Sequence, residues 1–375
     1  MSCVPAELKE HPLLFTLSAS VHSDVLAGMV AKLSSLSKVG SVGCLSSSLP
    51  GLGTACSLAW LDRARAVTFR SDIPGRPRVQ VGRRRETKET VSGEGEVLRR
   101  VAAGGVSWPD LWDRRATERL PGELQALRPE DIHSVIVLTD DAPQGLAQAL
   151  TAFPNANKLG MTAAPTPFVT GRPYTLMRDG EVFSRGAVGI ALLGPPRPSL
   201  KTRYHNLYTI SDTMVVTGAE GNLVHTLDGK NPSQLLLDSI KRSGVKNEDA
   251  KEDSFYVGVL EDGQLVKAFS ITSGDPKRGT VALEADAAPP LDARVQLFHR
   301  SRKSVATAET WEKRSALCFM TTGDEDGSSA DEPHTLEDVF LSSSEKGFVC
   351  SRVLDGRPEE WWSSTVPGGV ASLEW

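Results

Sequence analysis

The stretch "TSGDPKRG", Thr272 to Gly279, carries residue types that hold a charged small molecule. Asp275 can accept from an ammonium and Arg278 can clamp a carboxylate, while the small residues around them can shape an anion- or zwitterion-binding concavity. The same residues also fit a plain type I turn between two strands, with Pro276 at its second position. Asp140 and Asp141 follow the apolar run "VIVLT". The end of such a strand, which Thr139 shares, is where α/β proteins place ligand groups, and capping of the next helix accounts for at least one of the two carboxylates. Cys350, in "GFVCSRV", is inert if buried and a ligand-contacting or reactive thiol if it faces a pocket. Arg352, two residues on, shares its face. His225 alternates with Leu223 and Leu227, as a strand histidine does.

Motifs for catalysis are missing. The sequence has no GxSxG elbow, no HExxH and no P-loop; its seven histidines lack metal spacing and its five cysteines include no CxxC. The expectation is therefore a protein that is not an enzyme, with no cofactor or metal, whose ligand-binding candidates are Asp275, Arg278, Cys350, Arg352 and Asp140. "RDGEVFSRGAVGIALLG" is rich in glycine, but it lacks the strand-to-helix context of a phosphate cradle. Asp179-Gly180 instead reads as a two-residue hairpin turn, followed by a buried strand in which Gly186 and Gly189 admit a neighbouring backbone.

The elements that position these residues follow from pattern. With 375 residues, 39% hydrophobic and 24% charged, the chain has the composition of about two globular domains. A net charge of -5 excludes a general nucleic-acid binder, and no apolar run approaches the ~20 residues that span a bilayer. The basic "GRRRETK" from Gly82 precedes "ETVSGEGE" and reads as a solvated loop. "VSWPDLWDRR" reads as helical within an otherwise irregular segment.

Two stretches share one order of elements. "HPLLFTLSASVHSDVLAGMVAKLSSLSKVGSVGC" from His11 and "HSVIVLTDDAPQGLAQALTAFPNANKLGMTA" from His133 each run strand, helix, strand. Ser20 or Ser23 marks the first helix start, and Asp140 or Asp141 with Pro143 the second. The fold expected is α/β, a mixed α+β architecture of duplicated βαβ-plus-hairpin units forming mixed sheets flanked by helices, then a second β-rich α/β domain. The domains run 10–198 and 205–375, with "GPPRPSL" at Gly194–Leu200 as linker. In the second, "AEGNLVHTLDGKNP" reads as turn, strand, turn and a helix started by Asn231 and Pro232, and the acidic "TTGDEDGSSADEPHTL" after Met320 as an exposed insertion.

"TGRPYTLMRDGEVFSRGAVGIALLG" followed by "VVTGAEGNLVHTLDGKNPSQLLLDSI", together with "TSGDPKRG" and "FVCSRV", resembles the FIST family. In that family N- and C-terminal FIST domains occur together in bacterial signalling proteins and in a eukaryotic F-box protein. The resemblance implies a sensory module for small molecules such as amino acids, acting through a protein partner, or a substrate-recruiting module of ubiquitin signalling. The residues before His11 leave no room for an F-box. With no signal or transit pattern in "MSCVPAELKEHPLL", an intracellular, cytoplasmic protein is expected, or a mitochondrial one if an Arg-rich, acid-poor extension precedes Met1.

Overall fold

A computed structural model describes residues 4–73, 75, 120–244, 255–275, 279–300, 315–323, 335–354, 356–358 and 361–375. Gly82–Lys88, "VSWPDLWDRR", Pro276, Arg278 and most of the acidic segment after Met320 lie outside them.

The first unit runs β1 (Leu13–Ser18), α1 (Ser23–Ser34), β2 (Ser41–Ser46), β3 (Cys56–Trp60) and β4 (Ala66–Ser71). After α2 (Gly122–Gln125) the second unit repeats the order with β5 (Ile132–Thr139), α3 (Gln144–Ala149) and β6 (Asn157–Thr162). It then adds the hairpin β7 (Leu176–Arg178) and β8 (Glu181–Phe183), then β9 (Ala187–Leu193) and β10 (Ser199–Tyr204). In each unit the first two strands are parallel, and a later strand closes the other edge of the first: β3 on β1 and β9 on β5, both antiparallel. The duplication read from the sequence is present. So is its hairpin: Asp179 and Gly180 have φ of 51° and 83°, the left-handed pair that a two-residue turn needs.

A β-rich region follows. β11 (Leu207–Thr209), β12 (Met214–Glu220), β13 (Leu223–Leu227), β14 (Phe255–Glu261), β15 (Gln264–Asp275), β16 (Thr280–Leu283) and β17 (Arg294–Arg300) form one antiparallel sheet of order β11-β17-β12-β13-β16-β15-β14. α3 of the second unit has its successor here in α4 (Pro232–Ser243), capped by Asn231, whose side chain accepts from Gln234 N at 3.0 Å.

The end of the chain holds a third unit that sequence pattern did not reveal. It comprises β18 (Ala316–Thr321), β19 (Val339–Ser344), β20 (Phe348–Ser351), the short pair β21 (Val353–Leu354) and β22 (Arg357–Pro358), β23 (Trp362–Ser364) and β24 (Gly369–Glu374). β18 and β19 are parallel, and β24 closes β18 antiparallel, as β3 closes β1 and β9 closes β5.

The units exchange strands. The outer edge of β2 takes β7 from the second unit, and that of β6 takes β20 from the third. The outer edge of β19 takes a single bridge from the first unit, Ser47 to Ser343. Closing strands follow the same rule, with β4 on β9 and β10 on β24. The largest apolar core accordingly draws Leu14 and Val42, Ile136 and Leu159, and Leu317 and Phe340 from all three units. Sheets of residues 10–198 are thus shared with strands from 205–375, and Ser199 and Leu200, expected in a linker, belong to β10, with Leu200 in that core.

Other local expectations change. The N-cap position of α1 is His22 rather than Ser20 or Ser23, its ring accepting from Asp24 N at 3.4 Å. That of α3 is Pro143, with no side-chain cap, so neither Asp140 nor Asp141 caps it. Thr272–Asp275 are strand residues of β15, and Asp275 pairs with Thr280 of β16, while the positions read as the turn, from Pro276 to Arg278, lie outside the described residues.

Close approach explains particular glycines. A Cβ on Gly189 would overlap the Phe69 ring and Ile136 O, and one on Gly186 would overlap Ser71 O. Gly347, at φ 80°, lies against the carbonyl of Ser364, whereas Gly180, at φ 83°, has open space around it. Gly347→Ala should therefore cost at least about 2 kcal/mol and Gly180→Ala only about 1 kcal/mol of left-handed strain, read from urea midpoints at equal slope. Equal losses would contradict the steric role of Gly347.

Candidate functional site

Among the described residues, Cys350, Arg352 and Asp140 each make separate contacts. Arg278 lies outside the described residues, and of Asp275 the structure describes only the backbone. Lys267 sits over the ring of Trp362, the register partner of Cys350, and Asp275 lies eight residues further along β15, roughly 26 Å at about 3.3 Å per residue. Cys350 is fully buried in the shared core, with Phe348 and Trp362 packed around it. Arg352 reaches the other way along the chain and pairs with Glu261 of β14 at 2.5 Å. That pair ties the third unit to the antiparallel sheet. The carboxylate of Asp140 accepts from Gly186 N at 2.6 Å and from Ala142 N at 3.0 Å, while its own N–H donates to Gly186 O at 3.0 Å. Asp140 thereby clips the end of β5 to the start of β9.

Around this clip, the guanidinium of Arg70 donates to Ala187 O and Arg185 O at 2.9 and 2.6 Å and lies over Phe183. Burial lowers its pKa, opposed by the charges of Asp72 and Asp140. His225 is half-buried on β13, with Glu220 at 3.8 Å.

A different group of residues converges on the core. On the core-facing side of β1 the sequence runs Leu14, Thr16, Ser18, and on its parallel neighbour β2 it runs Val42, Cys44, Ser46. In β18 it runs Leu317, Phe319, Thr321, and in β19 Phe340, Ser342, Ser344. Register sets these side by side, Ser18 with Ser46 and Thr321 with Ser344. Both parallel pairs therefore turn from apolar to hydroxyl toward their carboxyl ends on the face they turn to the shared core. In the second unit the corresponding faces stay apolar, as Leu138 beside Met161. Its hydroxyl pair, Thr139 with Thr162, lies on the opposite face, with Val135 and Val137.

Hydrogen bonds join the two hydroxyl-bearing ends. Ser47 N donates to Ser343 O at 3.0 Å, and Ser343 Oγ donates to Ser47 O and Ser48 O at 2.9 and 3.0 Å. Ser18 Oγ donates to Ser47 O at 3.3 Å, and Ser57 Oγ donates to Leu341 O. Thr321 Oγ1 donates to Ser364 O at 3.3 Å. Ser342 stands apart: it is 1% exposed and its Oγ has no partner. A buried hydroxyl without a partner costs about 1–3 kcal/mol, so this position calls for an explanation. Sequence reasoning passed over these residues because none is charged; the repeated "LSSS" of Leu45–Ser48 and Leu341–Ser344 was the available signal.

A family model, the FIST N domain, matches residues 13–230, more than half of the chain. The chain belongs to the FIST family. The match starts at the first residue of β1, covers the first two units and ends beyond β13, so the third unit lies outside it. FIST domains serve sensing and signal transduction. No curated protein matches the sequence. Among the described residues of this FIST protein no three His, Cys, Asp or Glu side chains are grouped to hold a metal ion, and no helix is long and apolar enough to cross a membrane.

Buried charge in the FIST fold has an identifiable use. Lys158 on β6 is 1% exposed, and its ammonium donates to Phe153 O and Ala156 O at 2.7 and 3.0 Å, carbonyls just past the helical turn Leu150–Ala152. Burial pushes its pKa down to about 8. The unfolded chain keeps this proton up to about pH 10.5, so between pH 8 and 10.5 the unfolded state binds more protons and stability rises with pH. Relative to Lys158→Met, the wild type should gain up to about 3 kcal/mol across that window in urea unfolding. A flat difference would contradict an unpaired buried ammonium.

The seam makes its own prediction. Ser343→Ala removes a hydroxyl whose one proton is shared between Ser47 O and Ser48 O and should cost about 1–2 kcal/mol, whereas Ser342→Ala removes a buried hydroxyl that bonds to nothing and should be neutral or stabilising in the unliganded protein. Equal destabilisation of the two variants in chemical unfolding would show that the hydroxyl of Ser342 is already satisfied.

Proposed function

We propose that this FIST protein is a sensor that binds a small molecule without transforming it, at the hydroxyl-lined seam between its first and third units. The observation that carries this reading is the hydroxyl of Ser342, buried and unpartnered where two parallel strand pairs end in hydroxyl rows. Carboxyl ends of parallel strands are where open α/β sheets hold ligands. A ligand bonded to both units would favour the arrangement in which they are docked, and a protein partner that distinguishes docked from loosened units would read its presence.

The second reading, a protein-interaction module without chemistry of its own, has one observation in its favour. Phe168 is fully exposed on a loop that is braced from within, where Thr166 Oγ1 and Thr170 Oγ1 lie 2.7 and 2.8 Å from Thr175 Oγ1. A rigid loop carrying an aromatic side chain is a suitable anchor for a partner's pocket.

Thermal unfolding across a panel of amino acids and central metabolites separates the two. A ligand of the native state at a hundredfold excess over its Kd adds about 2.7 kcal/mol, and the rise should shrink in Ser342→Ala. A rise undiminished in Ser342→Ala would move the site elsewhere, and no rise with any compound would favour the interaction module.

A further inference from the structure

Resting on that reading of the seam, we infer that its ligand is a small, uncharged, hydrogen-bonding molecule of the polyol or sugar class rather than a zwitterionic amino acid. The inference follows from what the seam does and does not present. Its core-facing rows carry Thr16, Ser18, Ser46, Thr321, Ser342 and Ser344, each 3% exposed or less; Ser18 is engaged with Ser47 O and Ala55 N, Thr321 with Ser364 O and Ser344 with Lys346 N, while Ser342 is unpartnered. A hydroxyl is both a donor and an acceptor, so such a set is matched by a ligand whose groups are also both.

No ionisable carboxylate, ammonium, guanidinium or imidazole lies on the core-facing side of these four strands. Neighbouring strands on the same face add Ser57 beside Thr16, Leu176 beside Cys44, and Ala371 beside Phe319. Cys44, whose thiol could in principle ionise, is held protonated because burial raises its pKa far above neutrality. A carboxylate or ammonium brought here would be desolvated without a counter-charge, which costs far more than hydroxyl bonds return.

The positive ends of nearby elements do not supply that counter-charge. The N-terminus of α1, next along the chain from Ser18, is exposed and has its own Asp24, which lies 3.3 Å from His22 with both side chains largely in solvent. The charged pairs of the fold lie elsewhere: Arg203 and Lys201 hold Glu374, Arg178 holds Glu123, and Arg352 holds Glu261. The backbone of Asp275, whose charge suits an amino acid by type, ends β15 in the other sheet. The seam therefore selects by hydrogen-bond matching and against charge.

The test is isothermal titration of the full chain with millimolar erythritol, ribitol, myo-inositol and glucose, and separately with glycine, serine and lactate, repeated with Ser342→Ala. Working at millimolar concentration avoids the general stabilisation that molar polyols give any protein. The account expects saturable binding from the uncharged set, weakened at least tenfold in Ser342→Ala, and none from the charged set. Binding of a charged compound that Ser342→Ala weakens would keep the seam as the site and overturn its selectivity for uncharged ligands. Binding of an uncharged compound that Ser342→Ala leaves intact would overturn the seam itself. Absence of binding from every uncharged compound would overturn the proposed ligand class.

Discussion

The fold depends on one constraint: a parallel pair of strands has two outer edges, and buried backbone N–H and C=O groups on those edges must find partners. Each unit here builds such a pair but closes only one edge itself. The second edge is covered by the next unit, β7 on β2 and β20 on β6, and around the cycle by Ser47 on β19. The closing strands repeat the exchange, β4 on β9 and β10 on β24. Removing one unit would leave a buried edge unpaired in another. Stability of the first 200 residues is therefore tied to strands more than 100 residues further on.

That exchange also makes the seam. β19 pairs with the first unit at a backbone bridge, Ser47 to Ser343, and is held there by side chains as well, so residues separated by nearly the whole chain share hydrogen bonds: Ser343 Oγ with Ser47 O, Ser57 Oγ with Leu341 O, and Ser47 Oγ with Glu345 N. Hydroxyl groups are suited to such a place. They satisfy bends at strand ends where the ladder stops, and they can rotate to meet a guest. On the second unit's inner face Leu138 and Met161 stand where the other two units have hydroxyls.

Local features were legible in the sequence and long-range ones were not. Asp179-Gly180, Asp228-Gly229 and the Asn231-Pro232 helix start are each determined within a few residues, and the structure has them. The first two repeats were visible because each has a helix with its own apolar pattern between two strands. In the third, the segment between β18 and β19 is acidic and rich in small residues, so it carries no such pattern. The seam was hidden for another reason. Ser46 or Ser342 in a strand looks like any solvent-facing residue, and only register and the presence of a second sheet put it inside. Asp275 and Arg278, by contrast, carry charges that advertise chemistry in a sequence wherever they lie. Cys350 lies in the core, and Asp140 clips β5 to β9.

The most direct test of this account is native-state hydrogen exchange of the full chain across low denaturant. If strand exchange binds the units together, the slowest amides of β1, β5 and β18 should share one opening free energy, equal to that of global unfolding, and the same dependence on denaturant. A lower, separate opening of β18 and β24 while β5 and β6 stay protected would show that the third unit folds apart, and would contradict the shared core on which the seam depends.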